Sequence, residues 1–276
     1  MRFPRITALS LAAAVAVAPV AAHAAEGDAG RVTATNIDTS LETSLAKSLK
    51  KYMAGRSGQA SVSVTDLTTG RSYTYNGGLR TATASVVKVD ILASLLLRAQ
   101  DRGRSLTSSE RALASRMIRY SDNDAATSLF NLVGGRGGLV RYNRRLGLKQ
   151  TTPSYAWGAT TTSAADQVRL LKAFTSAKSR IKPANRRYAL GLMHTVTASQ
   201  SWGVSAAAKK GDYVALKNGW LPRPVDGGRW TITTVGRVRG HGHDYLIAVI
   251  SRRNSSMGSG ITTVEHLARA VARGLT

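Results

Sequence analysis

Strand-forming and helix-forming stretches are not mixed along this chain. Strands are predicted near both ends and helices between them, and that order limits the folds available. Near the start, Gln59 to Asp66 alternates Val62 and Val64 with small polar residues, Thr68-Thr69-Gly70 turns the chain, and Arg71 to Tyr75 runs back, which predicts a hairpin. Near the end, Tyr213 to Gly219, Arg229 to Arg237 and Asp244 to Ser251 are rich in Val, Ile, Thr, Tyr and Trp. Pro222-Arg223-Pro224 and Gly240-His241-Gly242 separate them, so they read as an antiparallel meander. Together these segments predict an α/β fold of the segregated α+β kind: one five-stranded antiparallel sheet made from both ends of the chain, flanking terminal helices, and an inserted all-helical lobe.

The helical signals fit that plan. Thr39 and Glu42 have capping-box spacing, and Leu41, Leu45, Leu49 and Met53 then recur every four residues, which predicts a helix to Ala54. Ile261, Val264, Leu267, Ala268 and Val271 place an apolar stripe on a terminal helix that needs a sheet face to cover it. Between the ends lies the apolar run Val86 to Leu97. A second capping box, Thr107 and Glu110, opens a helix to about Tyr120, and Asn123 to Val133 follows a break at Ser121-Asp122. Gly134-Gly135 ends that helix, Leu139 to Leu146 forms a short one, and Gly147 to Ala159 is irregular. Thr162 or Ser163 caps a helix over Ala164 to Thr175, and Pro183 opens another to about His194. The expected division is an α/β lobe over residues 37–80 and 200–276 and a helical lobe over 81–199. A cleft at such a boundary is the usual place for a site.

Ahead of this unit, Arg2 and Arg5 precede an apolar segment Ile6 to Val20 and the small-x-small pattern Ala22-His23-Ala24, so residues 1–24 read as a secretory signal peptide and 25–36 as a flexible leader. No later stretch is apolar enough to span a bilayer. The chain has no cysteine, which excludes disulfides, thiolate metal sites and a lipid-modified cysteine. Its net charge is +24, and +22 remains once Arg2 and Arg5 are removed. Such a field draws polyanions, which for an exported protein means anionic cell-wall polymers. The basic residues are scattered without interleaved aromatics, so nucleic acid is not expected as the ligand.

Chemistry concentrates in three clusters. Ser85 and Lys88 lie one helical turn apart at the start of the apolar run, a hydroxyl nucleophile beside an amine that could take its proton once desolvated. That spacing alone says little, because it recurs at Ser44 and Lys47, Ser48 and Lys51, and Ser179 and Lys182. Ser121-Asp122-Asn123 interrupts the helical middle, and Lys217-Asn218-Gly219 closes a predicted strand. A second hydroxyl can relay a proton, an amide can hold a substrate amide, and a strand lysine can anchor a carboxylate. Ser121 and Asn123 have an alternative use as helix caps, and Lys217 as a surface lysine.

In this order the three clusters resemble the Ser-x-x-Lys, Ser-Asp-Asn and Lys-Thr/Ser-Gly motifs of the penicillin-recognising serine enzymes, class A β-lactamases among them. Tyr120 to Ala126 and Thr160 to Ala165 are similar to the same family, and the likeness runs from about Thr39 to the C-terminus. The resemblance implies Ser85 as nucleophile, Lys88 as its base and Ser121 as proton relay. It implies substrate contacts by Asn123, Lys217, Asn218 and Gly219, and an oxyanion hole from the backbone N–H groups of Ser85 and Trp220. It also implies a β-lactam or peptidoglycan-type small substrate, no cofactor and no metal; a monomer is expected. The rival expectations are a D-alanyl-D-alanine peptidase or other amidase or esterase that β-lactams merely acylate, and a non-catalytic wall-binding protein on the same scaffold.

Two departures bear on turnover. The family's Glu-x-x-Leu-Asn loop motif is missing, no Asp or Glu occurs between Leu146 and Asp166, and the segment Gly147 to Thr162 is shorter than the family's loop. Asn218 also stands where a hydroxyl residue is usual. His241 and His243 are expected in a hairpin turn rather than at a metal, His194 and His266 on helices, and Trp157, Trp202 and Trp230 in packing, with Trp220 beside Gly219.

Overall fold

The computed structural model describes residues 39–275; the expected signal segment 1–24 and leader 25–36 lie outside the described residues. Helix α1 (Thr39–Ala54) leads into the hairpin β1 (Gln59–Asp66) and β2 (Ser72–Tyr75), then a short strand β3 (Thr81–Ala82). The helices of the middle follow: α2 (Val87–Asp101), α3 (Ser108–Arg119), α4 (Asn123–Leu132), α5 (Gly135–Leu146), α6 (Ala164–Thr175) and α7 (Pro183–His194). A short strand β4 (Thr161–Thr162) precedes α6 and pairs with β3. The meander β5 (Tyr213–Arg223), β6 (Arg229–Gly240) and β7 (His243–Asn254) then runs into α8 (Met257–Leu275). The large sheet has the order β2-β1-β7-β6-β5, all neighbours antiparallel, so β1 from one end of the chain lies beside β7 from the other.

The sheet has an apolar core on each face. On one side Val62, Val64, Leu216, Ile232, Ile247 and Val249 pack against Leu45 and Leu49 of α1 and Val264, Leu267 and Val271 of α8. This is the apolar stripe read from the sequence finding its sheet face. On the other side Ala215, Val235, Leu246, Ala248 and Ile250 meet the helices from α2 to α7. Helix α2 is buried nearly all round, with Ile91, Leu92, Leu95 and Leu96 fully enclosed, and it carries Lys88 and Asp90 inside with them.

Several boundaries differ from the sequence reading. Helix α5 starts at Gly135, four residues before the expected Leu139. Gly134 takes φ 101°, and a Cβ on Gly138 would clash with the Val133 carbonyl, so glycines let α4 turn directly into α5. Strand β5 continues through Pro222 to Arg223 instead of ending at Gly219. It is an edge strand, where a residue without an N–H is tolerated. Strands β6 and β7 likewise extend to Gly240 and Asn254 around the expected turn at His241-Gly242. Thr39, expected as a cap, is already helical. Elsewhere the signals hold: Thr107 and Glu110 form the reciprocal capping box, Ser163 caps α6, and Pro183 opens α7. Among the described residues no helix is long and apolar enough to cross a membrane.

Candidate active site

Ser85 lies in a 3-10 turn, Ala84–Val86, that feeds α2, rather than in the α-helix itself. Fully buried Val86 and Val87 anchor this turn, and Ala84 before the serine is held at φ 46°. A left-handed alanine costs roughly 1–2 kcal/mol and persists only where its surroundings enforce it. One turn along, Lys88 is fully buried with its Nζ 3.1 Å from Ser85 Oγ.

Ser121 comes to the same amine from the break between α3 and α4. It too is left-handed, with φ 57°, and both its oxygens face the amine, Oγ at 3.0 Å and the carbonyl at 2.5 Å. Asn123 Oδ1 accepts from the same nitrogen at 2.8 Å. The helix cap is neither of these residues. Asp122 caps α4 by accepting from the Ala125 N–H at 2.8 Å, and Arg116 clamps its second oxygen. With capping assigned to Asp122, the side chains on either side are released toward Lys88.

Burial pushes the Lys88 ammonium down to about 8 against the opposing pull of Asp122. Burial is the cause at Lys88, and the charge of Lys88 adds to burial at Lys217, whose pKa lies well below the ordinary lysine range. Lys217 is enclosed on β5 and donates to Gln200 Oε1 at 3.2 Å and the Asn218 carbonyl at 2.8 Å.

Asn218 points the other way, since neighbours along a strand face opposite sides of a sheet. Its amide donates to the Gln200 and Trp202 carbonyls at 2.8 and 2.9 Å, so its side chain is not brought to the serine. Gly219 is. A Cβ there would lie 2.7 Å from Ser85 N, Thr83 O and Thr233 Oγ1 alike. Thr233 draws the same three segments together, donating to the Thr83 carbonyl at 2.8 Å and the Gly219 carbonyl at 3.2 Å. Nothing in a strand rich in Val, Ile and Thr marks this threonine out, and the sequence reading missed it.

Beside Ser85 opens a cleft of about 380 Å³, lined also by Asn123, Trp157, Ala159, Trp220 and Leu221. That size suits a small molecule. One wall comes from the segment after α5, which reaches the serine although it is short. The Thr83 N–H donates to the Thr160 carbonyl at 2.7 Å, and β4 pairs with β3 just before Ser85. Trp157, expected in packing, is part of this wall, with its ring 5.1 Å from Lys88 Nζ. Asp166, the first acid after Leu146, does not face the cleft but pins the segment from behind. It accepts from Lys149 N at 3.1 Å, Gln150 N at 2.6 Å and Thr151 Oγ1 at 2.8 Å, and it pairs with Arg169. His241 lies in the β6 to β7 turn and His243 opens β7, and both bond Asp212, at 2.7 and 3.1 Å.

The chain is similar to known proteins over nearly all the described residues. The family model described as the β-lactamase enzyme family matches residues 44–111 and 106–275. "Putative lipoprotein LppW" of Mycobacterium tuberculosis and of Mycobacterium bovis is 25% identical over 221 residues, 76% of this chain and 68% of that protein. Among solved structures, the TLA-1 extended-spectrum β-lactamase superposes with a TM-score of 0.75 at 18% identity, covering 85% of this chain and 99% of its own. A mutant of PBP-A, solved as its acyl-enzyme complex with penicillin G, gives 0.73 at 20% identity, covering 88% and 98%. At these identities the structures establish the fold alone, and the family model spans nearly all the described residues. With its serine, lysine and Ser-Asp-Asn turn gathered at one amine beside a cleft, the chain belongs to the β-lactamase enzyme family.

Proposed function

We propose that this protein is an exported serine hydrolase that forms an acyl-enzyme on Ser85 with a β-lactam or related amide and releases it slowly. The observation that carries this is the placement of one amine, Lys88 Nζ, within 3.1 Å of both the Ser85 and Ser121 hydroxyls. Neutral Lys88 takes the Ser85 proton as Oγ attacks the carbonyl carbon. The proton then passes through the Ser121 hydroxyl to the ring nitrogen as the C–N bond breaks, so no net charge is left behind. The N–H groups of Ser85 and Trp220 receive the developing oxyanion, and the close approach at Gly219 supports that pairing. Asn123 and Lys217 hold the substrate's amide and carboxylate. Export rests on the leading signal-like segment and on a relative named a lipoprotein, although this chain has no cysteine to carry a lipid thioether.

A second reading keeps the chemistry and changes the substrate to a D-alanyl peptide. The absence of any carboxylate among the cleft-lining residues favours it, because such an acyl-enzyme would survive long enough to be handed to an amine. Intact mass after mixing with benzylpenicillin tests the proposal. A Ser85-dependent adduct that decays slowly supports it, rapid return to free enzyme with product makes it an efficient β-lactamase, and no adduct with penicillin or with a D-alanyl ester refutes acylation.

A further inference from the structure

The positive charge of this protein is not spread evenly over its hollows. One depression of about 270 Å³ is bounded by the end of α5, by α6 and by the loop after it, and Arg145, Arg169, Lys172, Lys178 and Arg180 line it with no acidic residue among its walls. A second, of about 380 Å³, is lined by Arg144, Gly147 and Lys149. The two adjoin at Gly147, where a Cβ would lie 3.7 Å from Arg169 Cδ. Two of the seven cations are already neutralised, Arg145 by Asp101 and Arg169 by Asp166. Arg144, Lys149, Lys172, Lys178 and Arg180 have no ion-pair partner among the described residues.

From this arrangement we infer that the paired hollows bind a linear polyanion carrying closely spaced phosphates, at a site separate from Ser85. Two adjoining hollows that hold five unpaired Lys and Arg between them complement a flexible chain of charges better than a single small anion. The lining argues against other polyanionic surfaces. None of the exposed large apolar residues, Leu41, Leu67, Tyr120, Leu132, Tyr155 and Val225, lies in either hollow, so nothing there would enter a lipid bilayer. No aromatic lines them either, which removes the stacking platform that single-stranded nucleic acid needs. Lys172 reinforces the reading. Although it reaches solvent, partial desolvation and then the Arg169 guanidinium lower its pKa, so an anion placed there would relieve repulsion already present.

The test measures binding of fluorescently labelled linear inorganic polyphosphate to the full chain across a range of salt. One variant carries Lys172→Gln, Lys178→Gln and Arg180→Gln, and a charge-matched control carries Lys47→Gln, Lys50→Gln and Lys51→Gln on the exposed face of α1. The pocket variant is expected to bind about tenfold or more weakly near 0.1 M salt. Its log–log salt slope should fall by about 2, at roughly 0.7 per lost contact as for single-stranded polyanions. The control should stay within about twofold, both should keep the parent's circular dichroism, and both should acylate Ser85 at the parent rate. Equal weakening in both variants would reduce the effect to a diffuse field and overturn the site. Tighter binding of oligothymidylate, or of phosphatidylglycerol vesicles, than of polyphosphate would overturn the partner. Absence of saturable binding near physiological salt would overturn both.

Discussion

The Cβ that Gly219 lacks would lie 2.7 Å from the backbone nitrogen of Ser85, so strand β5 and the Ser85 turn touch at a point where no side chain fits. The two candidate oxyanion donors, Ser85 N–H and Trp220 N–H, belong to the two segments in contact there. Gly219→Ala should force β5 away from Ser85 and open the hole. Loss of one such donor typically costs about 10²–10³ in rate, so acylation should fall by at least that much. Stopped-flow acylation with a chromogenic cephalosporin reads it, and a parent-like rate in the Gly219→Ala variant would remove this strand from the mechanism.

Lys88 must be neutral to accept a proton, and burial sets its pKa at about 8. Acylation should therefore rise with pH and level off above about 8, and Lys88→Met should lower it by roughly 10²–10⁴ and abolish the profile. The same shift affects folding. The native state binds fewer protons than the unfolded chain between about 8 and the ordinary 10.5, so Lys88 makes stability rise with pH across that window. Thermal melts of Lys88→Met should lack that rise. A pH-independent acylation rate from about pH 6 to about pH 10 would mean that Lys88 is not the base.

Asp90 presents the opposite sign. It is buried two residues from Lys88 on α2, accepts one bond from Asn143 Nδ2 at 3.0 Å, and leaves Oδ1 without a partner. Burial pushes its carboxyl up to about 7. The folded state therefore holds a proton that the unfolded chain gives up near 4, so this group's stabilising share is full below about 4 and lost as pH rises through 7. Asp90→Asn keeps the shape and removes the charge. Melts should show little change near pH 4 and a gain on the order of 2–4 kcal/mol near pH 8, at about 1.4 kcal/mol per pKa unit. An equal effect at both pH values would show that Asp90 is not titrating.

The sheet, both terminal helices and the three clusters of the candidate site were legible because each rests on local pattern: period two at Val62 and Val64, period four at Leu41 to Met53, and short fixed spacings at Ser85 and Lys88. What was not legible depends on side-chain direction and on contacts distant in sequence. Asn218 follows Lys217 in the motif, yet the pleat turns it to the far face of the sheet. Thr233 reaches Thr83 across 150 positions. Trp157 joins the cleft because β3 and β4 fasten its segment beside Ser85, and two-residue strands leave no periodicity to read. Strand β5 outran its expected end because an edge position tolerates Pro222, and edge status is a property of the assembled sheet.

Release of the acyl group is where this protein should differ most from an efficient β-lactamase. An ester on Ser85 hydrolyses quickly only if a base holds and deprotonates a water beside it. The wall that faces the serine from the segment after α5 consists of Ala156, Trp157, Gly158 and Ala159, none of which is a base. The nearest acid in sequence, Asp166, is occupied by Lys149, Gln150, Thr151 and Arg169, and Asp122 is committed to capping α4. Loss of a general base costs about 10²–10⁴ in the step it serves, so deacylation should lag acylation by a margin of that order. Rapid mixing with a chromogenic cephalosporin should give a burst equal to the enzyme present, followed by slow turnover, and quenched samples should carry the adduct on Ser85. Asp166→Asn should loosen the segment and lower the melting temperature without changing the burst amplitude. Steady turnover at tens per second with no burst would mean that another group activates water, and the assignment of this wall as catalytically inert would fail.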